Sequence, residues 1–156
     1  MEAWNEKNFS STGVEAHFVQ DNVSVSSRHT LRGLHYQIAN QQGKLVRVLH
    51  GEIFDAVVDL RRFSSTFGRP FTINLSAASG QALWIPEGFA HGFLALADDT
   101  VVQYKVTDYW APQHERTLLW NDPALQIQWP LPAGVQPLLS AKDAAGNPLA
   151  ACDTYL

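Results

Sequence analysis

Residues 80–94 constrain the possible folds of this chain more than any other stretch. Gly80, Pro86, Gly88 and His91 follow the spacing G-x5-P-x-G-x2-H. A short apolar run leads into a Pro-Glu-Gly turn, and a second apolar strand then opens with the histidine. Proline presets one turn dihedral and glycine allows a positive φ, so the spacing predicts a tight turn between two strands. Such a turn would hold one imidazole at a fixed place.

Short strands recur along the rest of the chain. Runs of β-branched and aromatic residues, separated by Gly, Asn, Asp, Ser or Pro, predict strands over 18–19, 45–49, 53–60, 71–75, 82–85, 93–97 and 101–106. His50-Gly51 and Asp98-Asp99 each stand between two consecutive runs, and both predict hairpins. Many evenly spaced strands with little helix indicate an all-β sandwich or barrel.

The two ends of the chain differ from this pattern. A short helix is predicted over 4–12, ended by Gly13, because glycine is the usual left-handed residue after a helix. The region that begins at Pro123 is rich in proline and alanine. It is expected to wrap the barrel as loops and short helical turns.

Length and charge narrow the class of protein. The 156 residues, 46% of them hydrophobic, are predicted to form one domain over 1–156 with a sizeable core. A net charge of −4 argues against a nucleic-acid or acidic-membrane partner. The sequence shows neither a signal peptide nor an apolar run long enough to cross a membrane. The single cysteine, Cys152, fits a reducing compartment, so a cytoplasmic protein is expected.

The spacing within 80–94 resembles the second motif of the cupins, small β-barrels that hold a ligand in their mouth. The resemblance implies an all-β, cupin-type double-stranded β-barrel (jelly roll) with short N- and C-terminal helical segments. The first cupin motif usually supplies two histidines two apart and then a glutamate as metal ligands. Here His35 is followed by Gln37 in the second place, and the next segment offers Lys44 without a carboxylate. A lysine would be repelled by a divalent cation, so the sequence predicts an organic anion and no metal.

The polar residues expected at the barrel mouth suit proton transfer. The side chains concerned are Arg32, His35, Lys44, His91 and Tyr104. Arginine binds phosphate through its bidentate fork, and a lysine can sit beside a developing enolate oxygen. Histidine is the usual base near neutral pH, and tyrosine can act as an acid. The set therefore predicts acid–base chemistry on an anionic substrate.

Ordered blocks over 2–145 are similar to the dTDP-4-dehydrorhamnose 3,5-epimerases of nucleotide-sugar biosynthesis. The blocks are 18–22, 31–37, 42–47, 54–59, 84–93, 104–112, 119–123 and 139–143. The resemblance implies a cofactor-independent isomerase and a homodimer. Its substrate would be a dTDP-4-keto-6-deoxyhexose: dTDP-4-dehydro-6-deoxy-D-glucose, epimerised at C3 and C5 to dTDP-4-dehydro-L-rhamnose.

The same resemblance implies roles for individual residues. His35 would be the base, Asp143 would orient its imidazole, Lys44 would stabilise the enolate and Tyr104 would return a proton from the opposite face. The substrate-binding residues would be Glu2, Gln20, Asp21, Asn22, Arg32, His91, Trp110, Glu115 and Lys142. The family usually has tyrosine where this chain has Trp110, at a position taken to stack on the thymine.

A second departure leaves alternatives open. Family members usually begin with a further segment that brings an arginine to the substrate and a strand across the dimer. Neither has a counterpart here. Met1 is then either the true start or an internal methionine. One alternative is therefore a nucleotide-sugar-binding module that has lost its turnover. Another is an epimerase acting at C3 alone, since the same base and keto activation serve both reactions. A metal-dependent cupin enzyme is disfavoured by Gln37 and Lys44.

Overall fold

The computed structural model describes residues 2–156, which form mainly antiparallel strands. The strands are β1 (Gln20–Ser26), β2 (Leu31–Gln37), β3 (Lys44–His50), β4 (Glu52–Asp59), β5 (Pro70–Ser76), β6 (Ala82–Ile85), β7 (Phe89–Ala95), β8 (Thr100–Val106) and β9 (Glu115–Thr117). Helix α1 (Glu6–Ser10) precedes them, and α2 (Ala141–Ala144) follows them. Two 3₁₀ turns cover Pro112–His114 and Leu149–Ala151. No helix of this described part has the length and apolar character needed to cross a bilayer.

The strands form two antiparallel sheets packed face to face. One sheet has the order β1-β8-β3-β6, and the other has the order β5-β4-β7-β2-β9. Consecutive strands mostly lie in different sheets, as expected for a jelly roll. The cupin-type double-stranded barrel with short helical segments near both ends is therefore confirmed.

Both predicted hairpins are wrong. His50-Gly51 joins β3 to β4, and Asp98-Asp99 joins β7 to β8, but in each case the two strands belong to different sheets. The backbone does turn sharply there, with φ of +78° at Gly51 and +51° at Asp99. A turn signal predicts that the chain reverses, whereas the partner strand is chosen by distant residues. Strand β4, for example, pairs with β5 and β7.

Strands β1, β2 and β9 were not among the predicted strands. Side chains of β1 alternate between partly buried polar residues and exposed ones, with Val23 and Val25 each 61% exposed. An ordinary barrel strand turns its apolar side chains inward. Strand β1 turns its apolar side chains outward because its inner face lines a polar cavity. The predicted strand over 18–19 lies just before β1. Strand β7 (Phe89–Ala95) begins two residues before His91, where the turn motif predicts its opening, and four residues before the predicted apolar run 93–97.

The core has two parts on opposite faces of the five-stranded sheet. Between the sheets, apolar side chains from β3 to β8 pack together, among them Val46, Ile53 and Phe93. On the outer face, the C-terminal region packs Leu125 and Tyr155 over β2 and β4. The expectation that this region wraps the barrel is confirmed, and it explains why β2 and β4 are buried on both faces.

Two glycines let strands β2 and β7 approach each other closely. Gly33 has φ of +121°, and a Cβ on Gly92 would lie 2.5 Å from the carbonyl oxygen of Arg32. A side chain at either position would push the strands apart. The close pairing sets His35 directly opposite His91 in register.

Candidate active site

A cavity of about 360 Å³ opens between the two sheets. Side chains from both sheets and from the C-terminal region line it, so it brings together segments more than a hundred residues apart. The lining residues are Gln20, Asn22, Ser24, Arg32, His35, Tyr36, Gln37, Gln42, Lys44, His91, Gly92, Phe93, Tyr104, Trp110, Glu115 and Lys142.

A histidine–aspartate pair lies at this cavity. The Nε2 atom of His35 is 2.6 Å from Oδ1 of Asp143, and the two side chains are 23% and 4% exposed. Asp143 also accepts hydrogen bonds from the Gly33 N–H (3.0 Å) and the Ser140 hydroxyl (2.6 Å). Ser140 in turn caps α2, since its Oγ accepts from the Asp143 N–H. The carboxylate is therefore fixed by three donors and holds the imidazole in one orientation.

The protonation states of this pair follow from burial and from these donors. Burial lowers the pKa of His35 and outweighs the opposing effect of the Asp143 bond. Burial alone would raise the pKa of Asp143, but hydrogen bonds from His35 and Ser140 lower it to about 2. Since the ionised carboxylate only accepts, Nε2 of His35 carries the proton, and Nδ1 is the basic nitrogen.

Lys44 places a buried amine in the same cavity. Its side chain is almost inaccessible, and Nζ donates to the backbone oxygen of His35 at 3.2 Å. Burial lowers its pKa to about 8, although Glu115 and Asp55 oppose the shift. The amine is still mostly protonated at pH 7. A cation in a site with little water is far more effective at stabilising a developing oxyanion than a solvated one.

A second histidine–aspartate pair was missed by the sequence reasoning. Nε2 of His91 lies 2.9 Å from Oδ2 of Asp55, and both side chains are buried. The other oxygen of Asp55 is buried and has no hydrogen-bond partner among the described residues. The available signal was an aspartate inside the apolar run 53–60, because a carboxylate is seldom buried without a functional or structural partner.

Tyr104 and Arg32 approach the cavity from different sheets. Tyr104 lies on β8, and burial raises the pKa of its phenol, which therefore keeps its proton. Arg32 lies on β2 and donates to the Ser26 hydroxyl (3.0 Å) and the Val25 carbonyl (3.1 Å). The remaining guanidinium donors are available to an anion.

The structure places the candidate residues in the lining of this cavity except Glu2, Asp21 and Asp143, and Asp143 lies behind the lining, against His35. Glu2 instead accepts hydrogen bonds from the side chains of Asn5 and Asn8. Asp21 lies on the outer face of β1, where it pairs with Lys105 at 2.9 Å. The reason is the alternation of a strand, which turns Asp21 away from its two inward neighbours. At the cavity, Lys142 and Glu115 form an ion pair of 3.0 Å.

Metal ligands are not assembled at the place where cupins usually carry them. Gln37 occupies the position of the second histidine, and Lys44 lies in the same cavity. Across residues 2–156, no group of three or more His, Cys, Asp or Glu side chains is placed to hold a metal ion. The polar groups that do converge are acids, bases and cations suited to an organic anion.

The fold and the site together define a cupin-type barrel with an acid–base site in its mouth. The model of the dTDP-4-dehydrorhamnose 3,5-epimerase family matches residues 1–151 of the sequence. The chain belongs to this family.

Individual relatives support the assignment. The dTDP-4-dehydrorhamnose 3,5-epimerase of Pseudomonas aeruginosa is 52% identical over 156 residues, which cover 99% of this chain and 85% of that protein. A crystal structure of a dTDP-6-deoxy-D-glucose-3,5-epimerase from Legionella pneumophila, in complex with dTDP-4-keto-L-rhamnose, is 46% identical with a TM-score of 0.93. It covers 97% of this chain and 80% of that one. A 3'-monoepimerase from Streptomyces bikiniensis, in complex with dTDP-quinovose, is 35% identical with a TM-score of 0.87, covering 96% and 75%.

Proposed function

We propose that this chain epimerises dTDP-4-dehydro-6-deoxy-D-glucose at C3 and C5 to give dTDP-4-dehydro-L-rhamnose. The observation that carries the proposal is the oriented His35–Asp143 pair beside the buried amine of Lys44 in one cavity. The 52% identity to the Pseudomonas aeruginosa 3,5-epimerase, against 35% to the 3'-monoepimerase, favours inversion at both carbons over inversion at C3 alone.

The reaction follows from the placement of three side chains. A proton on the carbon next to a ketone is weakly acidic, so its removal needs a base and enolate stabilisation together. Nδ1 of His35 accepts the proton, the C–H electrons form the enolate double bond, and Lys44 stabilises the charge on the oxygen. Tyr104 then donates a proton to the carbon. Because Tyr104 and His35 lie on opposing sheets, the new proton arrives from the opposite face and inverts the carbon.

The rest of the cavity suits the nucleotide diphosphate. Arg32 offers a guanidinium for the diphosphate. Gln20 and Asn22 line the cavity from β1, and the exposed indole of Trp110 offers a stacking face for the base. A tryptophan gives a larger face than the usual tyrosine but has no hydroxyl.

The function is tested by incubating the purified protein with dTDP-4-keto-6-deoxyglucose in deuterium oxide and following the sugar protons by NMR. Deuterium uptake at both C3 and C5 is expected. Uptake at C3 alone would instead assign the single epimerisation. Retained binding of the nucleotide sugar without any uptake would assign a binding module.

The dependence of kcat/KM on pH should be bell-shaped. On the acid side, activity falls only below pH 6.5, because the pKa of His35 is lowered and the neutral base persists to lower pH. On the alkaline side it falls near pH 8, where the amine of Lys44 loses its charge. The phenol of Tyr104 stays protonated throughout. Initial rates of deuterium uptake from pH 5 to 10 measure the profile, and a flat response between pH 7 and 10 would contradict the role of Lys44.

We further propose that the protein acts as a cytoplasmic homodimer. Strand β1 is an edge of the four-stranded sheet, and its outward side chains Val23 and Val25 are exposed. An uncovered edge with apolar side chains tends to associate. Sedimentation equilibrium should give twice the mass of the chain, and replacing both valines by lysine should shift the protein toward monomer. A wild-type monomer at micromolar concentration would contradict the proposal.

A further inference from the structure

The amide of Gln37 holds the backbone on both sides of Trp110. Gln37 is buried, with 3% of its surface exposed. Its Nε2 donates to the carbonyl of Tyr109 (3.3 Å), and its Oε1 accepts from the N–H of Ala111 (2.8 Å). A second donation from Nε2 goes to the carbonyl of Asn40 at 2.6 Å. Both amide hydrogens are thus engaged with backbone carbonyls.

The segment that carries Trp110 is held mainly by side chains, among them Asp108, which accepts from the Tyr109 N–H at 2.7 Å. Residues 108–111 lie outside any helix or strand. The N–H of Trp110 donates to Oε1 of Gln20 (3.2 Å), and Gln42 donates to the carbonyl of Asp108 (2.9 Å). The indole itself is 57% exposed and lines the cavity. Side-chain amides therefore replace the ladder hydrogen bonds that hold an ordinary strand residue.

We propose that Gln37 is a positioning residue that sets Trp110 as the contact surface for the nucleotide base. The inference rests on the proposed function, because it assigns Gln37 a role in positioning a residue of the same site. A loop that is ordered before the ligand arrives does not lose that freedom on binding, so affinity is higher than for a mobile loop. Gln37 occupies the position of a cupin metal ligand, but its amide forms hydrogen bonds to the segment that carries Trp110.

A double-mutant cycle separates action through Trp110 from a general structural role. Calorimetry measures the Kd of dTDP for wild type, Gln37→Met, Trp110→Ala and the double variant. Gln37→Met should weaken binding about tenfold in the wild-type background and less than about twofold in the Trp110→Ala background. Equal losses in both backgrounds would overturn the proposal. The exposed Gln136 gives the matched control, and Gln136→Leu should leave Kd unchanged.

Kinetics supply a readout that loss of stability alone would not move. Gln37→Met should raise KM by a larger factor than it lowers kcat, because the base and the enolate donor are untouched. A fall in kcat with unchanged KM would overturn the proposal. If wild type takes up no deuterium, the proposed function fails; if wild type is active and the cycle is additive, only the role of Gln37 fails.

Hydrogen exchange of the wild-type protein tests the proposal without any variant. The Ala111 N–H donates to Gln37, so its hydrogen exchange should be slowed at least about tenfold relative to an unstructured amide. Exchange at the unstructured rate would show that the amide of Gln37 does not hold the segment, and would overturn the proposal.

Discussion

The His35→Ala variant is expected to lose deuterium uptake at both C3 and C5 of the sugar. Removing a general base typically costs about 10²- to 10⁴-fold in rate. A value at the upper end is expected because Asp143 holds no second imidazole in that place. The NMR exchange assay in deuterium oxide measures the loss directly.

The matched control is an exposed histidine. His17 does not line the cavity, and His17→Ala should keep the wild-type rate. Binding of dTDP should survive His35→Ala, since Arg32 and Trp110, which are proposed to bind the diphosphate and the base, are unchanged. Persistent exchange at both carbons in the His35→Ala protein would show that another group removes the proton.

The Lys44→Met variant is expected to lose activity while gaining stability. Methionine keeps the length of the side chain and removes the charge. Loss of one oxyanion-stabilising donor costs about 10²- to 10³-fold in kcat. Because the amine is proposed to stabilise the forming enolate and contributes less to the ground state, kcat should fall more than KM rises.

The gain in stability follows from the lowered pKa of the same amine. A pKa of about 8 instead of 10.5 means that the buried charge disfavours the folded state, by about 3 kcal/mol at neutral pH. Lys44→Met should therefore raise the free energy of unfolding by about 1 to 3 kcal/mol. Between pH 8 and 10.5 the unfolded chain binds more protons than the folded one, so wild-type stability should rise with pH across this window. The variant should lack that rise.

Urea denaturation at pH 7 and pH 10 tests both statements. Lys105 offers the control, because it lies on the outer side of β8 and pairs with Asp21. Lys105→Met should change neither kcat nor the pH dependence of stability. A Lys44→Met protein that is less stable than wild type at pH 7 would contradict the assignment of Lys44 as an unfavourable buried cation.

The sequence alone predicted the class of fold and the family, and it named His35 and Asp143, which the structure brings into contact. Local sequence patterns predict the fold class and the family. These patterns are short strands with turn residues between them and compact motifs such as the one over 80–94. A motif constrains its own backbone, so the turn with Gly88 at a positive φ could be foreseen. The motifs over 31–37 and 139–143 each placed one residue of the His35–Asp143 pair.

Which strands pair, and which polar side chains contact one another across distant segments, was decided only by the tertiary structure. A local turn signal at His50-Gly51 does not show that the chain crosses to the other sheet, since pairing depends on the burial of distant strands. The contact of Asp55 with His91 joins two strands whose register is set by the whole sheet. Alternation along β1 removes Asp21 from the cavity, and the bonds of Gln37 depend on a segment seventy residues away. The sequence determined which chemical groups the protein carries, and packing determined which of them meet, because contacts between distant segments depend on the free energy of the assembled core.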